Sequence, residues 1–304
     1  MRKPWIGGVI AGVLLLGACG DPGSGTGAAP AEAPRAERPA EPSGPPKSTT
    51  QQRAAEKPRP KAPKVLYLGD SLAMENQNVL GELLRDELGA TYRSAPYSGT
   101  TLCDYLDDTD KDSLVPDKHK AAALVRAERP DVVVLQFWGN AWGYTPCMDG
   151  ITYDKQREKY FERYAADAEA LAAQIDAAAG ADGPRVVWVL QGPDPITPDR
   201  VRRVNGIYER QARASGGRVA DAGGTVAPAS DRYTWVEKLP CTAYEREHPK
   251  YCTDSGNRTA LHRADDYLHF CLAPTTPKSR PCPTRSPGIR RMAAEVTRVV
   301  AEVS

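Results

Sequence analysis

Short, unbroken runs of apolar residues alternate along this chain with segments of helical periodicity, and this alternation limits the fold most strongly. The clearest runs are residues 65–68, 131–136 and 185–190, and residues 91–95 and 218–220 are weaker strand candidates. Strands that are apolar throughout are typical of a parallel sheet covered by helices on both faces. The sequence therefore predicts an α/β domain with a central parallel sheet.

Segments with helical periodicity lie between and after these runs. Four leucines share one helical face and are followed by Gly89, where a helix would end, namely Leu80, Leu83, Leu84 and Leu88. Further helices are predicted over residues 119–128, 153–179, 198–214 and 288–303. Residues 222–264 have little periodicity and two cysteines. They are predicted to form a long, disulfide-pinned excursion, and such loops are uncommon unless functional.

The first residues are typical of an export signal. Arg2 and Lys3 precede an apolar stretch over residues 6–16, which at 1.5 Å per residue is too short for a hydrocarbon core of roughly 30 Å. Residues 1–18 are therefore predicted to be a signal peptide. Residues 16–19 (Leu-Gly-Ala-Cys) resemble a bacterial lipobox, in which the cysteine is lipidated and becomes the mature N-terminus. The alternative is an ordinary cleavage site followed by an incidental cysteine.

Residues 19–63 form a predicted linker that begins with the candidate lipidated Cys19. Beyond Cys19 the linker contains no bulky aliphatic and no aromatic side chain. Such a segment cannot bury enough apolar surface to fold, so we expect a disordered spacer. A diacylglyceryl Cys19 would hold the chain on a membrane. The expected localisation is extracytoplasmic, anchored to the cell membrane as a lipoprotein.

Residues 64–304 are long enough for one sizeable core, and no second low-complexity break divides them. The chain has 40 basic and 39 acidic residues, which gives a formal net charge of +1. This balance does not favour a nucleic-acid partner.

A serine follows the first apolar run where a helix is predicted to begin. In residues 69–72 (Gly-Asp-Ser-Leu), Ser71 would lie at the carboxyl edge of the sheet, beside the positive end of a helix. A serine hydroxyl needs a neighbouring base to remove its proton, and that base needs an orienting partner. Residues 266–269 (Asp-Tyr-Leu-His) offer both, so Ser71, His269 and Asp266 are the candidate catalytic residues of a serine hydrolase.

Among the four histidines, only His269 has acidic neighbours that suit an orienting role. His119 lies on a charged helix, His248 in a polar loop and His262 beside an arginine, so each is predicted to have no catalytic role. Asp265 is the alternative partner of His269 if the local turn differs.

Two further strand ends carry candidates for binding an oxyanion. Gly99 follows the second strand candidate, and Asn140 follows the strongest strand. Parallel sheets gather their strand ends at one edge, where open α/β folds bind ligands. Preorganised N–H donors at such an edge each contribute about 100- to 1000-fold in rate.

These segments resemble the motifs of the SGNH, or GDSL-type, serine hydrolase family. Residues 69–72 match the nucleophile block, Gly99 the second block, Asn140 the third and residues 266–269 the last. The resemblance implies a flavodoxin-like three-layer α/β/α sandwich with a central parallel sheet over residues 64–304.

The resemblance also implies a role for each matched residue. Ser71 would attack the substrate, His269 would act as general base and then general acid, and Asp266 would orient the imidazole. The oxyanion would be held by the backbone N–H groups of Ser71 and Gly99 and by the side-chain amide of Asn140. No metal or organic cofactor is expected.

The third block departs from the family pattern. It usually reads Gly-x-Asn-Asp, whereas residues 138–141 read Trp-Gly-Asn-Ala. Asn140 is kept, but the glycine is displaced by one residue and the aspartate is absent. Trp138 and Trp142 flank Asn140, and they either shape a pocket wall or pack beneath the sheet edge.

The cysteine count supports export. Of seven cysteines, setting Cys19 aside leaves six, and an even number favours disulfides in an exported chain while leaving many pairings open. We prefer the pairing in which each bond closes a loop near the proposed site, Cys103–Cys147, Cys241–Cys252 and Cys271–Cys282. A zinc site is the competing interpretation, but the chain has no CxxC pair.

Taken together, the sequence predicts a serine esterase that hydrolyses carboxylic (acyl) esters through an acyl-serine intermediate, on a cell-envelope or extracellular substrate. Small-molecule, lipid and glycan esters are all candidates. One alternative is an O-acyltransferase acting on glycan hydroxyls, and another is a non-catalytic binding lipoprotein with the same fold. In the plainest interpretation, Gly-Asp-Ser is only a helix N-cap.

Overall fold

The computed structural model describes residues 61–304 except 110–112, 144, 275, 277 and 279. The predicted signal peptide, Cys19 and nearly all of the predicted linker lie outside these residues. The centre of the fold is a five-stranded parallel sheet in the order β2-β1-β3-β4-β5. Its strands are β1 (Lys64–Gly69), β2 (Thr91–Ser94), β3 (Val132–Gln136), β4 (Arg185–Val189) and β5 (Arg218–Ala220).

Helices follow the strands in the alternation that the sequence predicts. They are α1 (Ser71–Leu88), α2 (Ala121–Glu128), α3 (Arg157–Ala179), α4 (Pro198–Ser215), α5 (Ala243–Glu247) and α6 (Pro287–Val303). Short 3₁₀ helices occupy Leu102–Tyr105, Asp117–His119, Pro146–Met148, Gly180–Asp182 and Gly223–Val226. None of the helices among the described residues combines the length and the hydropathy needed to cross a bilayer.

Successive side chains of β1 point to opposite faces of the sheet, and each face has its own core. Leu66 and Leu68 pack with residues of α2, α3 and α4 on one face. Val65 and Tyr67 pack with residues of α1 and α6 on the other. The result is the predicted three-layer α/β/α sandwich, and its strand order is that of flavodoxin-like sheets.

Gly69 is required where β1 ends because three elements meet there. A Cβ at this position would lie 2.0 Å from the carbonyl oxygen of Gln136 in β3 and 2.5 Å from the Cβ of Ala73 in α1. Without a side chain, β1 can pass directly from the sheet into the first turn of α1. The residue at the start of α1 is thereby fixed at the carboxyl edge of the sheet.

Two predicted helix starts are wrong by a few residues. The helix predicted from residue 119 begins at Ala121, because Lys120 is extended and separates α2 from the preceding 3₁₀ turn. The helix predicted from residue 153 begins at Arg157. Tyr153 lies in a turn but packs edge-on against Tyr160. The two residues are seven apart, a spacing that also occurs on one face of a helix, so the sequence pattern places the helix start too early.

The excursion after β5 contains more structure than its sequence pattern indicates. It forms a two-stranded antiparallel sheet, β6 (Lys238–Pro240) and β7 (Arg258–Ala260), together with α5. The buried carboxylate of Glu245 in α5 accepts a hydrogen bond from Arg291 of α6 at 2.7 Å. This ion pair ties the excursion to the core of the sandwich.

Candidate active site

Asp70 and Ser71 have different roles at the start of α1, since Asp70 caps the helix and Ser71 contacts a histidine. Asp70 is the N-cap, and its Oδ1 accepts a hydrogen bond from the backbone N–H of Leu72 at 3.0 Å. The N-cap interpretation is therefore correct for Asp70, and it leaves the hydroxyl of Ser71 available. The Oγ of Ser71 lies 3.0 Å from the Nε2 of His269.

Asp266 lies on the other side of the same imidazole. Its Oδ2 is 3.0 Å from His269 Nδ1, and its Oδ1 accepts the backbone N–H groups of His269 at 3.0 Å and Leu268 at 3.2 Å. Asp265, the alternative partner, is exposed and instead accepts a hydrogen bond from Arg263 at 2.8 Å. With Nδ1–H directed at Asp266, the Nε2 lone pair faces the serine hydroxyl.

The electrostatics of the pair favour a charged form of both partners. Burial raises the pKa of Asp266, but hydrogen bonds from the side chain and backbone of His269 outweigh it and bring the pKa down to about 2. Burial lowers the pKa of His269, but the hydrogen bond to Asp266 and the negative charges of Glu75 and Asp70 leave it raised. An imidazolium that forms during proton transfer is therefore stabilised.

Two backbone N–H groups at this edge are free to bind an anion. Ser71 is the first helical residue of α1, so its N–H has no partner within the helix. In the described part of the chain, no acceptor pairs with the N–H of Ser71 or of Gly99. Gly99 borders the same cavity as Ser71, and its φ of 80° is one that glycine adopts readily.

The amide of Asn140 is already engaged. Its Nδ2 donates to the carbonyl oxygen of Thr100 at 2.9 Å and to Asp70 Oδ2 at 3.2 Å, while its Oδ1 accepts the indole N–H of Trp142 at 3.1 Å. Asp70 is fully buried, and burial raises its pKa to about 6 despite the backbone hydrogen bond from Trp138. Both amide hydrogens of Asn140 thus have acceptors within the protein, which the sequence did not predict.

Both flanking tryptophans line the same cavity as Ser71, which fits the pocket-wall alternative. Trp138 is buried, and the Arg200 guanidinium lies 3.5 Å from the centre of its ring. Trp142 is 38% exposed and stacks on Trp138 with the ring centres 6.0 Å apart. The buried Arg200 also pairs with Asp194 at 2.8 Å. Glycine is also required at position 139, between Trp138 and Asn140 in sequence, because a Cβ there would lie 2.7 Å from the Tyr160 hydroxyl.

Ser71 and His269 open into a cavity of about 420 Å³. Its rim carries three of the large hydrophobic side chains that are exposed in the described part of the chain, namely Trp142, Ile196 and Tyr267. Apolar side chains grouped around a polar catalytic centre are typical of a small-molecule pocket. Ile196 and Tyr267 were not predicted to line the site, since no sequence pattern relates either loop to a cavity.

All six cysteines of the described chain form the three preferred disulfides, Cys103–Cys147, Cys241–Cys252 and Cys271–Cys282. The loop closed by Cys103–Cys147 contains Asn140, and the loop closed by Cys271–Cys282 contains Ala273, both of which line the cavity. No described residue between Cys241 and Cys252 lines it, so the reason for the pairing holds for two of the three bonds. Bonded thiols are not available as zinc ligands. Within the described ranges, no group of His, Cys, Asp or Glu side chains is arranged to hold a metal ion.

The other three histidines have structural neighbours outside the cavity. His119 contacts the hydroxyl of Tyr97, and His248 stacks on Tyr244 with ring centres 4.0 Å apart. His262 is buried against Phe270, and its Nδ1 lies 3.0 Å from the carbonyl oxygen of His269. None of the three borders the cavity.

Sequence reasoning missed a second carboxylate at this site. Glu75 borders the cavity, and its Oε2 accepts the backbone N–H groups of Phe270 at 3.2 Å and Cys271 at 3.3 Å. The sequence feature that could have identified Glu75 is its spacing of four residues from Ser71, because residues four apart share one face of a helix. Glu75 is therefore on the same face of α1 as Ser71.

Sequence comparison identifies one matching family. The SGNH domain family, described as fused to AT3 domains, matches residues 37–234. This range includes the three proposed oxyanion residues and ends before Asp266 and His269. No curated protein sequence matches the chain.

Several solved structures resemble the fold at low sequence identity. The periplasmic domain of a lipopolysaccharide acetyltransferase from Salmonella ser. Paratyphi A is 12% identical, with a TM-score of 0.46 over 80% of this chain and 85% of that one. A family 3 carbohydrate esterase from Clostridium thermocellum is 12% identical, with a TM-score of 0.42 over 79% and 96%. LAE5, an alpha/beta hydrolase from the metagenome of Lake Arreo, is 14% identical, with a TM-score of 0.44 over 80% and 96%.

The family match spans more than half of the 304 residues. The first three motif blocks lie within it and follow the adjacent strands β1, β2 and β3 of the parallel sheet. On this basis, the chain belongs to the SGNH family.

Proposed function

We propose that this protein is a serine esterase that hydrolyses carboxylic (acyl) esters through an acyl-serine intermediate. The observation that carries the proposal is the 3.0 Å contact between Ser71 Oγ and His269 Nε2, with Asp266 Oδ2 3.0 Å from the opposite ring nitrogen. A nucleophile, a base and an orienting carboxylate in this order are the groups that activate a serine for acyl transfer.

In the first half of the reaction, Ser71 Oγ attacks the ester carbonyl carbon while its proton passes to His269 Nε2. The tetrahedral intermediate collapses as the C–O bond to the leaving group breaks. The alkoxide leaves as an alcohol after taking the proton from His269, and the acyl group stays on Ser71. Asp266 keeps Nδ1–H hydrogen-bonded throughout, so the ring does not turn away from the serine.

In the second half, water attacks the acyl-serine carbonyl and gives its proton to His269. Collapse of this second intermediate returns the proton to Ser71 Oγ and releases the carboxylic acid. The free N–H groups of Ser71 and Gly99 support an oxyanion site for both intermediates. Asn140 would join them by giving up its longer contact, the 3.2 Å hydrogen bond to Asp70.

The proposed substrate lies in the cell envelope or outside the cell. Support for this location comes from the predicted signal peptide, the candidate lipidation site Cys19 and the linker composition. The exposed side chains of Trp142 and Tyr267 on the cavity rim support a substrate with an apolar surface next to the scissile ester.

Acetate release from p-nitrophenyl acetate by the full chain tests the proposal. The wild type should release acetate at a rate proportional to enzyme concentration, and Ser71→Ala should release none above background. Adding glycan acceptors separates hydrolysis from transfer. An esterase releases the same acetate with and without acceptor, whereas acetylated glycan formed at the expense of free acetate would contradict hydrolysis and support the acyltransferase alternative.

A further inference from the structure

Glu75 holds the segment that carries His269 in two ways. Its side-chain Oε2 accepts the N–H groups of Phe270 and Cys271, the two residues that follow His269. Its backbone oxygen accepts the N–H of Cys282 at 3.2 Å, and Cys282 is bonded to Cys271. One residue of α1 is therefore connected to both ends of the disulfide loop beside the active site.

The carboxylate of Glu75 also interacts electrostatically with the imidazole. Burial raises the pKa of Glu75, and the neighbouring His269 opposes that rise. The same interaction raises the pKa of His269. Only Oε2 is used in the hydrogen bonds to the backbone, and Oε1 has no hydrogen-bond partner among the described residues.

We propose that Glu75 is a second positioning carboxylate of the active site, which fixes the His269 segment against α1 and stabilises the imidazolium formed when Ser71 is deprotonated. This inference rests on the proposed esterase function, since it assigns Glu75 a part in the same proton transfer. Asp266 acts on His269 through Nδ1, whereas Glu75 acts through the following backbone and through its charge.

Several charged groups face this carboxylate and the imidazole, and each contributes to the local field. The loop between β7 and α6 contributes His269, Asp266 and Arg263, and the turn before α1 contributes Asp70. Asp70 and Asp266 remain in place when Glu75 is changed, so the effect of one charge can be measured against a constant background.

Glu75→Gln separates charge from hydrogen bonding. The glutamine oxygen can still accept from Phe270 and Cys271, but the negative charge is lost. Loss of a neighbouring negative charge lowers the pKa of an imidazole. Glu82→Gln is the matched control, because Glu82 is an exposed residue of the same helix and is absent from the cavity.

The direct measurement is an NMR titration of the His269 ring in the wild type, Glu75→Gln and Glu82→Gln. We expect the His269 midpoint to move to lower pH in Glu75→Gln and to stay unchanged in Glu82→Gln. In parallel, kcat/KM for p-nitrophenyl acetate should fall about tenfold in Glu75→Gln, which corresponds to a loss of about 1.4 kcal/mol in stabilisation of the imidazolium in the transition state. The acidic limb of its pH profile should shift in the same direction as the midpoint.

An unchanged His269 midpoint in a folded Glu75→Gln variant would overturn the inference, because Glu75 would then be structural only. The titration does not require turnover, so its result is independent of the esterase proposal. A wild type without turnover would contradict the proposed function, and the NMR midpoint would still decide the role of Glu75. Glu75→Ala, which also removes the hydrogen bonds, should lower both activity and melting temperature further than Glu75→Gln.

Discussion

The Nε2 atom of His269 lies 3.0 Å from the Oγ atom of Ser71, although 198 residues separate the two in sequence. Ser71 begins α1 at the end of β1, and His269 lies on the loop between β7 and α6. The N-cap Asp70, the side chain of Glu75 and the Cys271–Cys282 bond together set the positions of both groups. The geometry of this pair therefore depends on contacts outside it.

Removal of either side chain of this pair should abolish turnover without unfolding the protein. We expect Ser71→Ala and His269→Ala to lower kcat/KM by roughly 10⁴-fold or more, and Asp266→Asn by somewhat less. The double variant of Ser71 and His269 should be no slower than either single variant, because the two act as one unit. Steady-state kinetics with melting curves provide the measurement. An additive loss in the double variant would contradict a shared proton transfer.

The pH dependence should follow the ionisation of His269. Its pKa is raised above the usual 6.5, and only the neutral ring can accept the proton of Ser71. Activity should therefore be lost as pH falls, with a midpoint above 6.5 in the kcat/KM profile, and should decrease about tenfold per pH unit below it. In Asp266→Asn the midpoint should move to lower pH, since the charge that favours the imidazolium is gone. A midpoint that does not respond to Asp266→Asn would exclude His269 as the titrating base.

Two disulfides of equal sequence separation give a matched test of the wall beside the active site. Cys271–Cys282 and Cys241–Cys252 each span 11 residues, but only the first borders the cavity. Replacing either pair by serines should cost about 2 to 3 kcal/mol in the free energy of unfolding, as expected for loops of this length. Only the Cys271/Cys282 double variant should also lose kcat, because its loop is attached to Glu75.

Chemical denaturation and kinetics on the two double variants check this prediction. Equal loss of activity in both would show that the Cys271–Cys282 loop has no special connection to the His269 segment.

Trp142 should contribute to catalysis as well as to the cavity rim. Its indole N–H donates to Asn140 Oδ1 at 3.1 Å, which directs the amide hydrogens toward Thr100 and Asp70. Trp142→Phe keeps the stacking on Trp138 but removes this donor, so kcat should fall by about five- to tenfold, the value of one hydrogen bond. Ile196→Ala is the control, because this exposed side chain borders the cavity without orienting Asn140.

Ile196→Ala should raise KM and leave kcat unchanged. If Trp142→Phe also changes only KM, the indole N–H does not orient Asn140, and Trp142 acts only as a wall of the cavity.

Strands β1, β3 and β4 could be predicted from sequence because each is a short, mainly apolar run next to a helical segment. Strands β2 and β5, which read Thr-Tyr-Arg-Ser and Arg-Val-Ala, were weaker candidates. The turn that carries Ser71 could also be predicted, because the apolar run of β1 is followed directly by a helical segment. In the structure, Gly69 permits the close approach of β1, β3 and α1 at this turn. The start of α3 could not be predicted, because Tyr153 packs against helical aromatics from a turn. Strands β6 and β7 are three residues long and have no measurable periodicity.

The proposed triad was accessible from sequence, whereas its supporting contacts were not. Residues 266–269 contain both an acid and a histidine at turn spacing, so Asp266 and His269 could be paired by inspection. The contact of Glu75 with Phe270 and Cys271 joins segments that no sequence pattern relates. The occupied amide of Asn140 likewise depends on the carbonyl oxygen of Thr100, a backbone atom whose position only the fold determines.

Covalent labelling by a fluorophosphonate tests the central claim most directly, because the reagent reacts with a serine only when a base activates it. Peptide mapping of the labelled full chain should find the adduct on Ser71, and His269→Ala should label far more slowly while remaining folded. A folded wild-type protein that stays unlabelled, or carries its label on another residue, would contradict an activated Ser71.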